Sequence, residues 1–138
     1  MNLNVFFTLG RVSNLPTVWT NCIAGTVLAT VASQAVPFNA LPLVVLLIAM
    51  TLAYIGGMFL NDAFDHKIDA IERPERPIPS GRVSATTVYT WGFGMLAISI
   101  ALVAWTALGN PQSGGWMAVI SAIALCGAII LYLSLIHI

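Results

Sequence analysis

The sequence predicts an all-α protein, a multi-span bundle of transmembrane helices. Three observations lead there. Hydrophobic residues make up 59% of the chain, only 7% are charged, and the mean hydropathy is +0.93, whereas soluble domains carry about 25% charged residues. Nine of the ten charged residues lie in one stretch, Asn61 to Arg82, with only Arg11 outside it. Residues 12–61 and 83–138 hold no Asp, Glu, Lys or Arg at all. Two long apolar blocks therefore flank a polar island, and a chain of this size cannot bury both blocks in a core of its own.

The elements follow in order. Residues 1–14 end in GRVSN before Pro16, a helix start in which Asn14 caps and the proline occupies the first turn, where its missing N–H costs little. The basic Arg11 follows the apolar VFFTLG instead of preceding it, so no cleaved leader is expected and the first span is read as retained. That span runs from about Leu15 to Val36, and about 20 residues at 1.5 Å each match a hydrocarbon layer of roughly 30 Å. VPFNALP, with Pro37, Asn39 and Pro42, makes an uncharged turn. A second span then runs to Leu60 and delivers the chain into the island. A third reads from Ala85 to Leu108, GNPQSGG makes another uncharged turn, and a fourth starts at Trp116.

Basic residues in short loops set orientation. Arg11, Lys67, Arg73, Arg76 and Arg82 all fall on one side, so the N-terminus and residues 61–82 are expected to be cytoplasmic, in a membrane of the bacterial inner-membrane type. Trp19, Trp91, Trp105 and Trp116 are expected as interfacial anchors, the first and second of them about a turn inside. Gly56 and Gly57 suit close helix approach. Cys22 and Cys126 both fall in spans, where packing is expected in preference to a disulfide. A net charge of zero with clustered basic residues argues against a nucleic-acid surface.

Continuing the second helix past Leu60 at about 100° per residue places Asn61, Asp62, Asp65 and Asp69 in a sector roughly 100° wide, beside an apolar stripe of Phe64, Ile68 and Ile71. Carboxylates stacked at this spacing repel one another, more so at a membrane boundary, and call for a cation. Hard carboxylate and amide oxygens suit Mg²⁺, which keeps waters and is completed by substrate phosphates. A phosphorylated or diphosphate ligand is therefore expected. ERPERPIPSGR follows, and residues before proline disfavour helix, so Arg73, Arg76 and Ile78 are expected in a stiff, extended loop. Guanidinium forks there suit phosphate oxygens. Basic loops also simply set topology, and for Arg73, Arg76 and Arg82 taken singly both readings stand open. His66 projects away from the acidic column.

The stretch NDAFDHKIDAIERPERPIPSG resembles the first aspartate-rich motif of the UbiA family of intramembrane prenyltransferases, NDxxDxxxD followed by RPxRPxxSG. Arg11 with SNLPTVWTN resembles that family's first helix, with Asn21 facing the cavity. The resemblance covers the chain to about Leu131. It implies Mg²⁺ held by Asn61, Asp62, Asp65 and Asp69, with Asp65 and Asp69 the catalytic pair. It also implies a prenyl diphosphate donor whose diphosphate meets Arg11, Asn21, Arg73, Arg76 and Arg82. The allylic bond would ionise and an acceptor, commonly an aromatic ring, would capture the carbocation, as in quinone biosynthesis.

The family's pattern has about nine spans and a second aspartate motif across the cavity, whereas this sequence holds no Asp or Glu beyond Glu75. Residues 1–132 are accordingly expected to be the N-terminal part of such a membrane domain, inactive alone. Residues 133–138, LSLIHI, are expected to be a non-native tail, since the family follows Tyr132 with polar residues and a basic loop. One codon reading, CTG TCT CTT ATA CAC ATC, also spells a transposase adaptor used in preparing sequencing libraries. The competing reading is a small non-catalytic membrane protein that binds or conducts a divalent cation. Such an ion path would place its acids near mid-span, not at a span end followed by an arginine loop.

Overall fold

A computed structural model describes residues 2–33, 40–110 and 114–136. Among these the chain is helical, without a strand. Four helices are long and apolar enough to cross a membrane, and the protein is an integral membrane protein of the predicted class.

One element was not anticipated. Residues Leu3–Gly10 form a short helix, α1, because Val5 and Leu9 share one face and bury it. Phe6 of α1 meets Phe59 edge-on at 5.3 Å between ring centroids. The chain then turns at Arg11, whose left-handed backbone (φ 43°, ψ 46°) is unusual for a residue with a Cβ. A 3₁₀ turn, Val12–Asn14, runs straight into α2, Leu15–Ser33. Asn14 closes that turn directly before α2, its N–H donating to the Arg11 carbonyl at 3.0 Å.

The remaining spans are α3 (Ala40–Phe64), α5 (Ala85–Gly109) and α6 (Gly115–Ile136), with a short helix α4 (His66–Glu72) between the first two. The 25 residues of α3 extend about 37 Å, more than the roughly 30 Å hydrocarbon layer. Its last turn carries Asn61 and Asp62. α6 continues as helix across Tyr132 and Leu133 to Ile136. The proposed turn residues Pro37 and Asn39, the end of the first span at Val36 and part of GNPQSGG lie outside the described residues, as do His137 and Ile138.

α3 is the hub. Of its most apolar window 44% is buried, against 6% for the first span, because α1, α2, α5 and α6 all lean on it. Two small residues set the closest approach: a Cβ on Gly92 of α5 would lie 2.7 Å from Leu60, and one on Gly56 would lie 2.9 Å from the Gly92 carbonyl. Gly57 takes the other side, against Ile129 of α6. Ser99 donates to the Ala49 carbonyl across the α3/α5 contact at 2.8 Å, satisfying a hydroxyl that lipid would leave bare. Trp19 lies about one turn into α2, as expected. Its indole N–H donates to Thr51 at 2.9 Å and fastens α2 to α3, whereas Trp105 and Trp116 are exposed near helix ends as expected.

Candidate functional site

At the end of α3 the helix bends without losing its column. Asp65 separates α3 from α4, yet its N–H still reaches Asn61 O at 2.9 Å, that of Asp69 reaches Asp65 O at 2.9 Å, and that of Arg73 reaches Asp69 O at 2.8 Å. The bend has local causes. The Ala63 carbonyl accepts from Tyr89 OH at 3.0 Å and from the His66 ring Nδ1 at 2.7 Å, side-chain donors that compete with the helix ladder. His66 thus points off the acidic column, as expected. Of the apolar stripe only Phe64 packs, edge-on to Tyr89 at 5.4 Å, while Ile68 and Ile71 are exposed.

Asp62 and Asp69 are buried, and Asn61 and Asp65 are half-buried. Asn61 Nδ2 donates to Asp65 Oδ2 at 3.1 Å. The cation required by the repelling carboxylates is supplied by the protein itself. Arg76 Nη1 donates to Asp69 Oδ2 at 2.7 Å and to Asp62 Oδ1 at 3.4 Å, and Arg11 Nη2 lies 3.6 Å from Asp62 Oδ1. Partial burial works against the charge of Arg76. The hydrogen bond to Asp69 and the nearby charges of Asp62 and Asp65 outweigh it and hold the guanidinium above the usual arginine range.

The loop after α4 is non-helical, as its prolines dictate, but it is not extended. It folds as successive turns, with Arg76 N–H to Arg73 O at 3.0 Å, Ser80 N–H to Arg76 O at 3.0 Å and Gly81 N–H to Ile78 O at 3.0 Å. Gly81 takes φ 74°, which a residue with a Cβ resists. Proline removes donors and fixes φ but leaves turns open, and here turning back is what brings Arg76 over the acids. Arg82 braces the same loop through Ser80 Oγ at 2.9 Å and the Glu75 carbonyl. Ser84 Oγ accepts from Thr87 N–H at 3.1 Å and caps α5.

The structure brings Arg11, Asn61, Asp62, Asp65, Asp69 and Arg76 together. Asn21 and Arg73 are exposed; Arg73 meets the cluster through its backbone bonds to Asp69 and Arg76, and among the described residues no hydrogen bond or ion pair joins either side chain to it. Ser80 and Tyr89 were overlooked. Ser80 stood in plain view beside Gly81, but Tyr89 reaches a partner 26 positions away, which spacing alone does not reveal. Among the described residues no three His, Cys, Asp or Glu side chains converge on a single metal-sized point. Arg76 occupies the space between Asp62 and Asp69, and Asp65 faces Asn61.

Carboxylates, an amide and two guanidinium groups thus gather at the end of α3, in a bundle of apolar helices. That combination defines a class of polytopic membrane proteins with a charged site at one end of a helical bundle. Within that class the chain belongs to the UbiA prenyltransferase family, which matches residues 19–135. It is similar to the digeranylgeranylglyceryl phosphate synthases of Methanoregula boonei (32% identical, covering 77% of this chain and 36% of that protein) and Metallosphaera sedula (31%, covering 74% and 34%). The synthase of the same name from Methanothrix thermoacetophila is 50% identical over a shorter segment, 29% of this chain and 15% of that protein. The chain spans about a third of the length of the first two of these curated relatives. No solved structure matches it.

Proposed function

We propose that this chain forms the donor-diphosphate side of an Mg²⁺-dependent intramembrane prenyltransferase. The observation that carries this reading is the column Asn61, Asp65 and Asp69, with Asp62 beside it, faced by Arg76 and Arg11 at the end of a membrane span. The donor set fits Mg²⁺: one or two carboxylates one helical turn apart are what this ion takes from protein, the remainder being water and phosphate oxygens. Asp65 and Asp69 with Asn61 would hold it, and Asp62 completes the acidic face. When bound, the ion supplies charge neutralisation to a departing diphosphate. Arg11 and Arg76 would bind and orient the same phosphate oxygens as forks, while Arg82 braces the loop that carries Arg76. The isoprenyl chain lies among the apolar helices, where water is excluded.

The relatives' names specify a product in which isoprenyl groups are joined to glyceryl phosphate. We take that as the acceptor class in place of the aromatic ring implied at first. The cation-path alternative is disfavoured because the acids cluster at the end of α3, not at its middle. The test uses the complete protein in lipid vesicles with Mg²⁺, labelled geranylgeranyl diphosphate, and either a geranylgeranylglyceryl phosphate or an aromatic acid. Transfer to the first, abolished by chelator, is expected. Transfer to the aromatic acid alone would move the acceptor, and transfer to neither would sink the reading.

A further inference from the structure

We propose that Arg76 is an electrostatic latch: it occupies the acidic column until a diphosphate draws it away, so that divalent metal and diphosphate bind only weakly alone and strengthen one another. This deepens the function proposed above and rests on it. The geometry is specific. One guanidinium nitrogen, Nη1, serves both Asp69 at 2.7 Å and Asp62 at 3.4 Å, and both carboxylates are buried. A second positive charge entering beside Asp69 would stand within a few ångströms of Arg76, where like charges in a lowered dielectric repel strongly.

Departure of Arg76 without a replacement would leave buried Asp69 without its ion pair and Asp62 with the longer Arg11 contact at 3.6 Å, which is costly. A divalent ion arriving together with a diphosphate resolves both difficulties. The ion takes over neutralisation of the acids, and the phosphate oxygens accept the released fork. The loop is built for such an exchange. The turns around Arg76 are held by Ser80, which bonds the Arg76 carbonyl at 2.7 Å, and by Arg82. The side chain can therefore change partners while its backbone stays fixed.

The test measures Mn²⁺, a paramagnetic stand-in for Mg²⁺, by electron paramagnetic resonance on the complete protein in nanodiscs, with and without inorganic pyrophosphate. In the wild type, pyrophosphate is expected to tighten Mn²⁺ binding by about tenfold or more, within the usual range of coupling between sites. Arg76→Gln is expected to bind Mn²⁺ alone about tenfold more tightly than the wild type and to lose most of the coupling. Arg76→Lys, which keeps the charge but lacks the planar fork, should fall between the two and decides the matter if the glutamine variant does not fold. Wild-type coupling with no tightening in either variant would overturn the latch and leave the proposed function standing. Absence of Mn²⁺ binding in the wild type even with pyrophosphate would overturn both.

Discussion

A carboxylate that is only 4% exposed requires a partner, and Asp69 finds it in a residue seven positions on, across a proline-rich loop. Asp65, one turn earlier and half-buried, is held by an amide instead. The two acids thus differ in environment while sharing a column, and in the proposed function both face the metal. Asp65→Ala and Asp69→Ala are each expected to reduce turnover of the complete enzyme at least about a hundredfold, roughly 2.7 kcal/mol of barrier. Membrane insertion should be retained, because neither side chain packs in the lipid-spanning part. Near-normal turnover of Asp69→Ala at limiting Mg²⁺ would show that it is not a ligand.

Between elements, contact distance decides. Gly92 admits Leu60 where a Cβ would clash at 2.7 Å, whereas Gly94, two residues on, has nothing within 4 Å. Gly92→Ala is therefore expected to destabilise the α3/α5 pair by about 1–3 kcal/mol through overpacking, and Gly94→Ala by no more than about 0.5 kcal/mol. Unfolding of both variants in detergent micelles measures the difference, and equal losses would remove the close-approach explanation. The same contrast explains what could be read from the chain. Long uncharged runs bounded by polar turns gave the spans to within a few residues, because lipid tolerates little else. The acidic column followed from helical spacing, since the backbone bonds keep that spacing through the bend at Asp65. α1 was missed because eight residues ending in Gly10 carry too short a pattern. The turned loop was missed because proline rules state what a residue avoids, not which turn it adopts. Pairings such as Tyr89 with Ala63 or Arg11 with Asp62 depend on helices meeting in space and have no local signature.

At the scale of the molecule, one end carries all of the charge. If the loop bearing Arg73, Arg76 and Arg82 is cytoplasmic, a cysteine at Ser80 will be labelled by an impermeant maleimide only in inside-out vesicles, and one at Asn110 only in right-side-out vesicles. The reverse pattern would invert the topology. The proposed chemistry also requires neutralisation on more than one side of the diphosphate, and every Asp and Glu of this chain lies between Asp62 and Glu75. The 138-residue polypeptide by itself is therefore expected to show no Mg²⁺-dependent prenyl transfer. Measurable product from it would mean that one acidic face suffices.

The glycine contact between α3 and α5 has a bearing on time as well as on stability. It fixes α3 and α5, the two spans between which α4 and the loop that holds Arg76 are strung. A guanidinium exchanging partners on such a mount needs no helix to travel, and side-chain and loop rearrangements run in nanoseconds to microseconds. Rapid mixing of metal and pyrophosphate with the protein should then give a single exponential whose rate rises linearly with ligand concentration. A plateau in the millisecond range would reveal a moving scaffold instead of a turning side chain.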